Sequence, residues 1–142
     1  MRVALLIWAL LASALAFSNL EHNNGYEVLK ELEAGNHNVY IIMFYAGAAE
    51  GSALYSRNND YEETLTSRVL ESYGGFFYTK VDARNQDYAE LVDALGVNTQ
   101  ELQKSPSVLI MEHGNGAWIH GPETISKIAE YAPAYSQRSE NA

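Results

Sequence analysis

The side chains able to act as nucleophiles, metal ligands or acids are few here and poorly grouped. The four histidines are His22, His37, His113 and His120. None pairs at i, i+4 and no H-E-x-x-H occurs, so they read as surface or turn histidines and no metal site is expected. The stretch from Asp82 to Asp87 holds acids and Asn85, but Arg84 stands where a calcium loop needs Asp or Asn. Ser52 has no G-x-S-x-G around it and no base that can be named, so it reads as a helix-capping serine. Gly74-Gly75 precedes a strand, the wrong order for a phosphate-binding loop. Cysteine is absent altogether, which removes disulfides, thiol catalysis, iron–sulfur clusters and thiolate zinc sites. Nine Lys and Arg stand against eighteen Asp and Glu, an acidic balance that phosphate repels, so a nucleic-acid partner is not expected. No cofactor is expected either.

The elements that would position these groups begin after an apolar leader. Arg2 is followed by an apolar run from Val3 to Phe17, broken only by Ser13, and Ala14-Leu15-Ala16 has the A-x-A pattern of a cleavage site. Residues 1–19 are therefore expected to be a signal peptide or signal anchor, 20–133 one domain, and 134–142 a polar tail. The expected location is the secretory pathway, in the ER lumen or secreted. The alternative is retention of residues 2–20 as a membrane contact, including the mitochondrial inner membrane with the domain facing the intermembrane space.

Asn24 with Glu27 marks a helix start, and Tyr26, Leu29 and Leu32 recur at helical spacing. Val39 to Tyr45 is seven apolar residues in a row, short and rich in β-branched and aromatic types, hence a strand buried on both faces. A long helix is expected from about Ser52 to Tyr73, with Asn58-Asn59-Asp60 as a possible interruption. Phe76 to Val81 is the next strand, and Asp87 with Glu90 opens another helix. Pro106 precedes a strand over Val108 to Met111, Asn115-Gly116 lies in a turn, and Ala117 to His120 returns. Gly121-Pro122 opens a last helix carrying Ile125, Ile128, Ala129 and Ala132 on one face. A strand, a helix and a second strand require a parallel pair with a right-handed crossover, and the hairpin adds antiparallel strands. The expected class is α/β, a mixed sheet with helices on both faces.

This order resembles the thioredoxin-like fold, a three-layer sandwich, over about Gly25 to Tyr131. Phe44-Tyr45-Ala46 is similar to the F-W-A segment before the thioredoxin active site. Ala49-Glu50-Gly51-Ser52 then falls where that family carries C-x-x-C, and Ser105-Pro106 resembles its cis-proline. Met43 stands where the family often has a buried aspartate. The resemblance implies a redox-inactive, cysteine-less member, because disulfide exchange needs a thiolate to attack and a sulfur to leave. It implies no catalytic residue, and a degenerate site at Tyr45, Ala49, Glu50, Gly51, Ser52, Ser105 and Pro106. In redox-active relatives the groove beside the cis-proline binds extended peptide; here Ser105 could still offer its backbone, with Glu50 making the groove acidic. The implied function is a non-catalytic protein-binding or folding-assistance module. The alternative is a membrane-tethered structural subunit of a large complex. Ten tyrosines suit either reading, with Tyr26, Tyr45, Tyr61 and Tyr88 expected in the core.

Overall fold

A computed structural model describes residues 17–34, 36–73, 75–112, 115–119, 129, 130 and 132. The leader over residues 1–16 and the tail from 133 onward lie outside them, as does most of the expected last helix.

Strand β2, Val39–Tyr45, is the middle of the sheet, and its run of apolar residues follows from that position. Val39, Ile41 and Met43 point to one face; Tyr40, Ile42 and Phe44 point to the other. Each face carries its own core, so alternation with polar residues would bury polar groups on one side. β3, Phe76–Asp82, runs parallel to β2, with Met43 opposite Lys80 and Tyr45 opposite Asp82. β4, Ser107–Glu112, is antiparallel on the other flank of β2, and β5, Asn115–Ile119, is antiparallel to β4. The order is β1-β3-β2-β4-β5, a mixed five-stranded sheet.

Strand β1, Ser18–Asn19, is an element that no sequence signal marks. It pairs parallel with β3, Leu20 N–H donates to the Tyr78 carbonyl, and the Phe17 ring meets Tyr78 edge-on.

Helix α1, Gly25–Leu32, starts as the capping pair predicts. The Asn24 side chain accepts from Glu27 N–H, and the Glu27 carboxylate accepts from Asn23 N–H. Helix α2, Ala53–Leu65, begins at Ser52, whose side chain accepts from Tyr55 N–H. It runs unbroken through Asn58-Asn59-Asp60, because Asn58 faces inward and its Nδ2 donates to the Ala46 carbonyl at 2.9 Å. A π-helical turn over Thr66–Leu70 ends it and turns Val69 and Leu70 into the core. Helix α3, Ala89–Leu95, closes at Gly96 with φ of 67°, the left-handed conformation that glycine adopts freely.

Leu65, Val69, Leu70 and Ala132 cover one face of the sheet; Val28, Leu32, Leu91 and Leu102 cover the other. The helix–sheet–helix layering is the expected one.

Two expectations are corrected. The Ser105–Pro106 bond is trans, since none of the described peptide bonds is cis. Trans is the lower-energy isomer even before proline, by about 0.5–1 kcal/mol. The turn at Glu101–Gln103, where Ser105 N–H donates back to the Glu101 carbonyl, delivers the chain into β4 without a reversal at the proline. Tyr26 is 56% exposed rather than core, with the Lys30 ammonium 5.6 Å above its ring. The most buried described tyrosines are Tyr40 and Tyr78, both on central strands.

Candidate functional site at the carboxyl ends of β2 and β3

Open α/β sheets bind ligands beyond the carboxyl ends of their parallel strands, and β2 and β3 end together at Tyr45 and Asp82. Ala46 follows β2 and is buried; its carbonyl takes the Asn58 amide. Gly47 is next, and its N–H donates to Asp82 Oδ1 at 2.9 Å. The same oxygen accepts from Arg84 N–H, while the Arg84 guanidinium donates to the Gly47 carbonyl. Asp82 and Arg84 thus clasp the start of the loop from both sides. A Cβ on residue 47 would lie 2.2 Å from Asp82 Oδ2, so glycine is required there by the clasp.

The loop itself is open. Ala49, Glu50 and Gly51 are exposed and Ser52 is half-buried. Gly51 has φ of 85°, which closes a turn in which Ser52 N–H donates to the Ala49 carbonyl. Ser52 Oγ is engaged as the cap of α2. Across from the loop, Arg57 donates to the Lys104 carbonyl and joins α2 to the segment before β4. Ser105 there is half-buried and Pro106 buried. Tyr45 faces Asp82 and Phe44 faces Ser107, so Tyr45, the 49–52 loop and Ser105–Pro106 lie at one end of the sheet.

Behind the loop, between α2 and the sheet, lies a polar cluster that sequence reasoning missed. Lys80 Nζ meets Glu62 Oε1 at 2.8 Å, and Tyr78 Oη donates to Glu62 Oε2 at 2.7 Å. The bond to Glu62 raises the Lys80 pKa above its ordinary value. Burial, reinforced by Glu62, pushes the Tyr78 phenol strongly upward. Burial and then the Asp82 charge raise Tyr45. Lys80 therefore stays charged and the Tyr45 and Tyr78 phenols stay protonated at neutral pH, with Tyr78 donating to Glu62. The only hint in the sequence was spacing: Asn58 and Glu62 are four apart on one helix, and Lys80 and Asp82 are two apart on one strand.

A second polar cluster lies on the opposite face. His22 hydrogen-bonds to Thr79 Oγ1 through Nε2 and to Tyr88 Oη through Nδ1. It is a packed histidine rather than a surface one. Burial lowers its pKa and the nearby Glu27 charge opposes that shift. Among the described residues no group of three His, Asp or Glu side chains could hold a metal ion, and no helix is long and apolar enough to cross a membrane.

No protein-family model matches the sequence and no curated protein sequence matches it. Solved structures do. Spinach chloroplast thioredoxin f, in its short form, superposes with a TM-score of 0.58 at 16% identity, covering 87% of this chain and 96% of that one. Thioredoxin O2 from Arabidopsis thaliana gives 0.54 at 17% identity, covering 87% and 96%. A structure of ferredoxin:thioredoxin reductase with thioredoxin f2 gives 0.56 at 15% identity, covering 86% and 97%. The fold is thioredoxin-like. At this identity the likeness carries the architecture, and what differs is chemical. This thioredoxin-like chain has no cysteine thiol with which to perform disulfide exchange.

Proposed function

We propose that this chain is a non-catalytic thioredoxin-fold protein that binds other proteins, or assists their folding, through the face formed by Tyr45, Ala49, Glu50, Gly51, Ser52 and Ser105. The observation that carries this reading is that the loop replacing the thiols is exposed and held in place. Gly47 is clasped by Asp82 and Arg84, Ser52 caps α2, and Ala49 to Gly51 face solvent. A loop fixed at both ends loses little conformational entropy on binding, which favours recognition. The Ser105–Pro106 bond is trans, so the contact is assigned to the loop together with the neighbouring Ser105 surface rather than to a cis-proline groove. The leader pattern before Ser18 supports a non-cytosolic compartment.

The test is binding to a reduced, unfolded client by the full chain in mild detergent, comparing wild type with Glu50→Lys and with Ser105→Trp. Loss of binding in both variants, with unchanged thermal stability, is the expected result. Equal binding by both would sink the reading. Dithiol-dependent reduction of insulin by the pure chain is expected to be nil, and measurable turnover would reopen an enzymatic role.

A further inference from the structure

The polar cluster behind the loop lines an open-sided cavity of about 320 Å³. Its size is at the lower end of small-ligand pockets, which start at about 300 Å³. Three features of its lining go together. The first is a surplus of acceptors. Asn58 is 6% exposed and uses its Nδ2 on the Ala46 carbonyl, which leaves Oδ1 as the other amide atom. That Oδ1 has no hydrogen-bond partner among the described residues. A buried acceptor left unpaired costs about 1–3 kcal/mol, and a donor brought to it recovers much of that. The second is charge. Among the lining residues Glu62 and Asp82 face only Lys80, which is already committed to Glu62, while the Arg84 guanidinium lies outside the lining, on the Gly47 carbonyl. The third is aromatic wall: Tyr45 and Tyr55, both half-buried, line the same space. Acceptors, a surplus of negative charge and ring faces together suit a flat or compact organic cation rich in N–H groups.

We infer that this cavity is a binding site for a guanidinium or primary-amine group. Its N–H donors would turn toward Asn58 Oδ1 and the Asp82 carboxylate, and its stem would lie between Tyr45 and Tyr55. Asn58 Oδ1 is itself buried, so engaging it requires the Asn58 side chain to move. Lys80 is the group that opposes the cation, and its pairing with Glu62 holds that opposition down. The inference shares Tyr45 with the protein-binding face but does not rest on that reading. Its cation can come from a free small molecule or from an arginine or lysine side chain of a partner.

The experiment is a titration of the full chain with ethylguanidinium, followed by amide NMR shifts, with acetate as the anion control. Saturable shifts at Tyr45, Tyr55 and Asn58 are expected, with millimolar affinity for so small a probe, which is on the order of 4 kcal/mol. Tyr55→Ala should weaken binding by about fivefold or more, and Lys80→Gln should strengthen it by about threefold. Both positions tolerate change without loss of core, and circular dichroism checks folding. A peptide carrying arginine that binds at least about tenfold more tightly than ethylguanidinium assigns the site to a partner's side chain. Equal affinity assigns it to a free cation. An absence of saturable shifts up to roughly 50 mM probe in the folded protein overturns the site. Equal shifts with acetate, or insensitivity to both substitutions, overturns it as well.

Discussion

The 49–52 loop and the cluster immediately behind it lie on the same end of the sheet but are built on opposite principles. Ala49, Glu50 and Gly51 are exposed and make few contacts of their own. Asn58, Glu62, Tyr78, Lys80 and Asp82 are tied to one another or to the loop's backbone. Where redox-active thioredoxins place reactive groups at the surface, this chain has small or ordinary side chains. Its polar groups lie behind that loop: Asn58 and Asp82 hold the backbone leading into it, and Glu62, Tyr78 and Lys80 hold one another. The difference teaches that this fold can present an exposed, thiol-free loop from a scaffold tied by hydrogen bonds.

That contrast is open to direct attack. The largest effect is expected from Gly47→Val, which drives a side chain into Asp82. It should destabilise the chain by at least about 2 kcal/mol in urea unfolding, as overpacking of a fixed site does. Asp82→Ala comes next, at about 1–3 kcal/mol, because two backbone N–H groups lose their acceptor. The double variant Gly47→Ala/Asp82→Ala should cost less than the sum of its parts, since the clash disappears with the carboxylate. Simple additivity would show that the clasp is not the reason for the glycine. Ser52→Ala should cost about 1 kcal/mol through loss of the α2 cap, read as a fall in thermal midpoint.

A smaller effect belongs to the far face. The folded-state pKa of His22 is lowered, so the unfolded chain takes up that proton first. Its contribution to stability is therefore present above the ordinary histidine value near 6.5 and falls as pH drops from there toward the lowered folded value. His22→Asn should flatten that part of the stability–pH curve, and an unchanged curve would mean that the burial has no thermodynamic weight. Smallest of all are Ala49→Ser and Glu50→Gln. Each should change stability by no more than about 0.5 kcal/mol, as exposed positions do. A larger loss at either would erase the distinction between an open loop and the tied layer behind it.

Much of the fold was legible because local signals agreed with it. Val39–Tyr45 reads as a buried strand from its apolar run, and Asn24/Glu27 and Ser52 announce helix starts that form as read. The positions of Ala49, Ser52 and Pro106 relative to those elements were also readable. β1 was not, since two residues with no pattern form a strand only because β3 offers an unpaired edge. Asn58 looked like a helix breaker because propensity scores it for a solvent-facing helix, and the Ala46 carbonyl reverses that sign. Tyr26 looked like core because it falls on the helical period, yet it lies on the outer side of α1.

The sequence by itself determined one exclusion: without a cysteine thiol no arrangement of the chain yields disulfide exchange. It also determined the central strand and the caps, because those depend on residues within a few positions of one another. Only the tertiary structure decided that Ser105–Pro106 is trans, that Asp82 holds Gly47, and that Glu62 meets Lys80 across eighteen positions. Those outcomes depend on which groups the packed sheet and helices bring within hydrogen-bond reach, and a linear pattern carries no record of that.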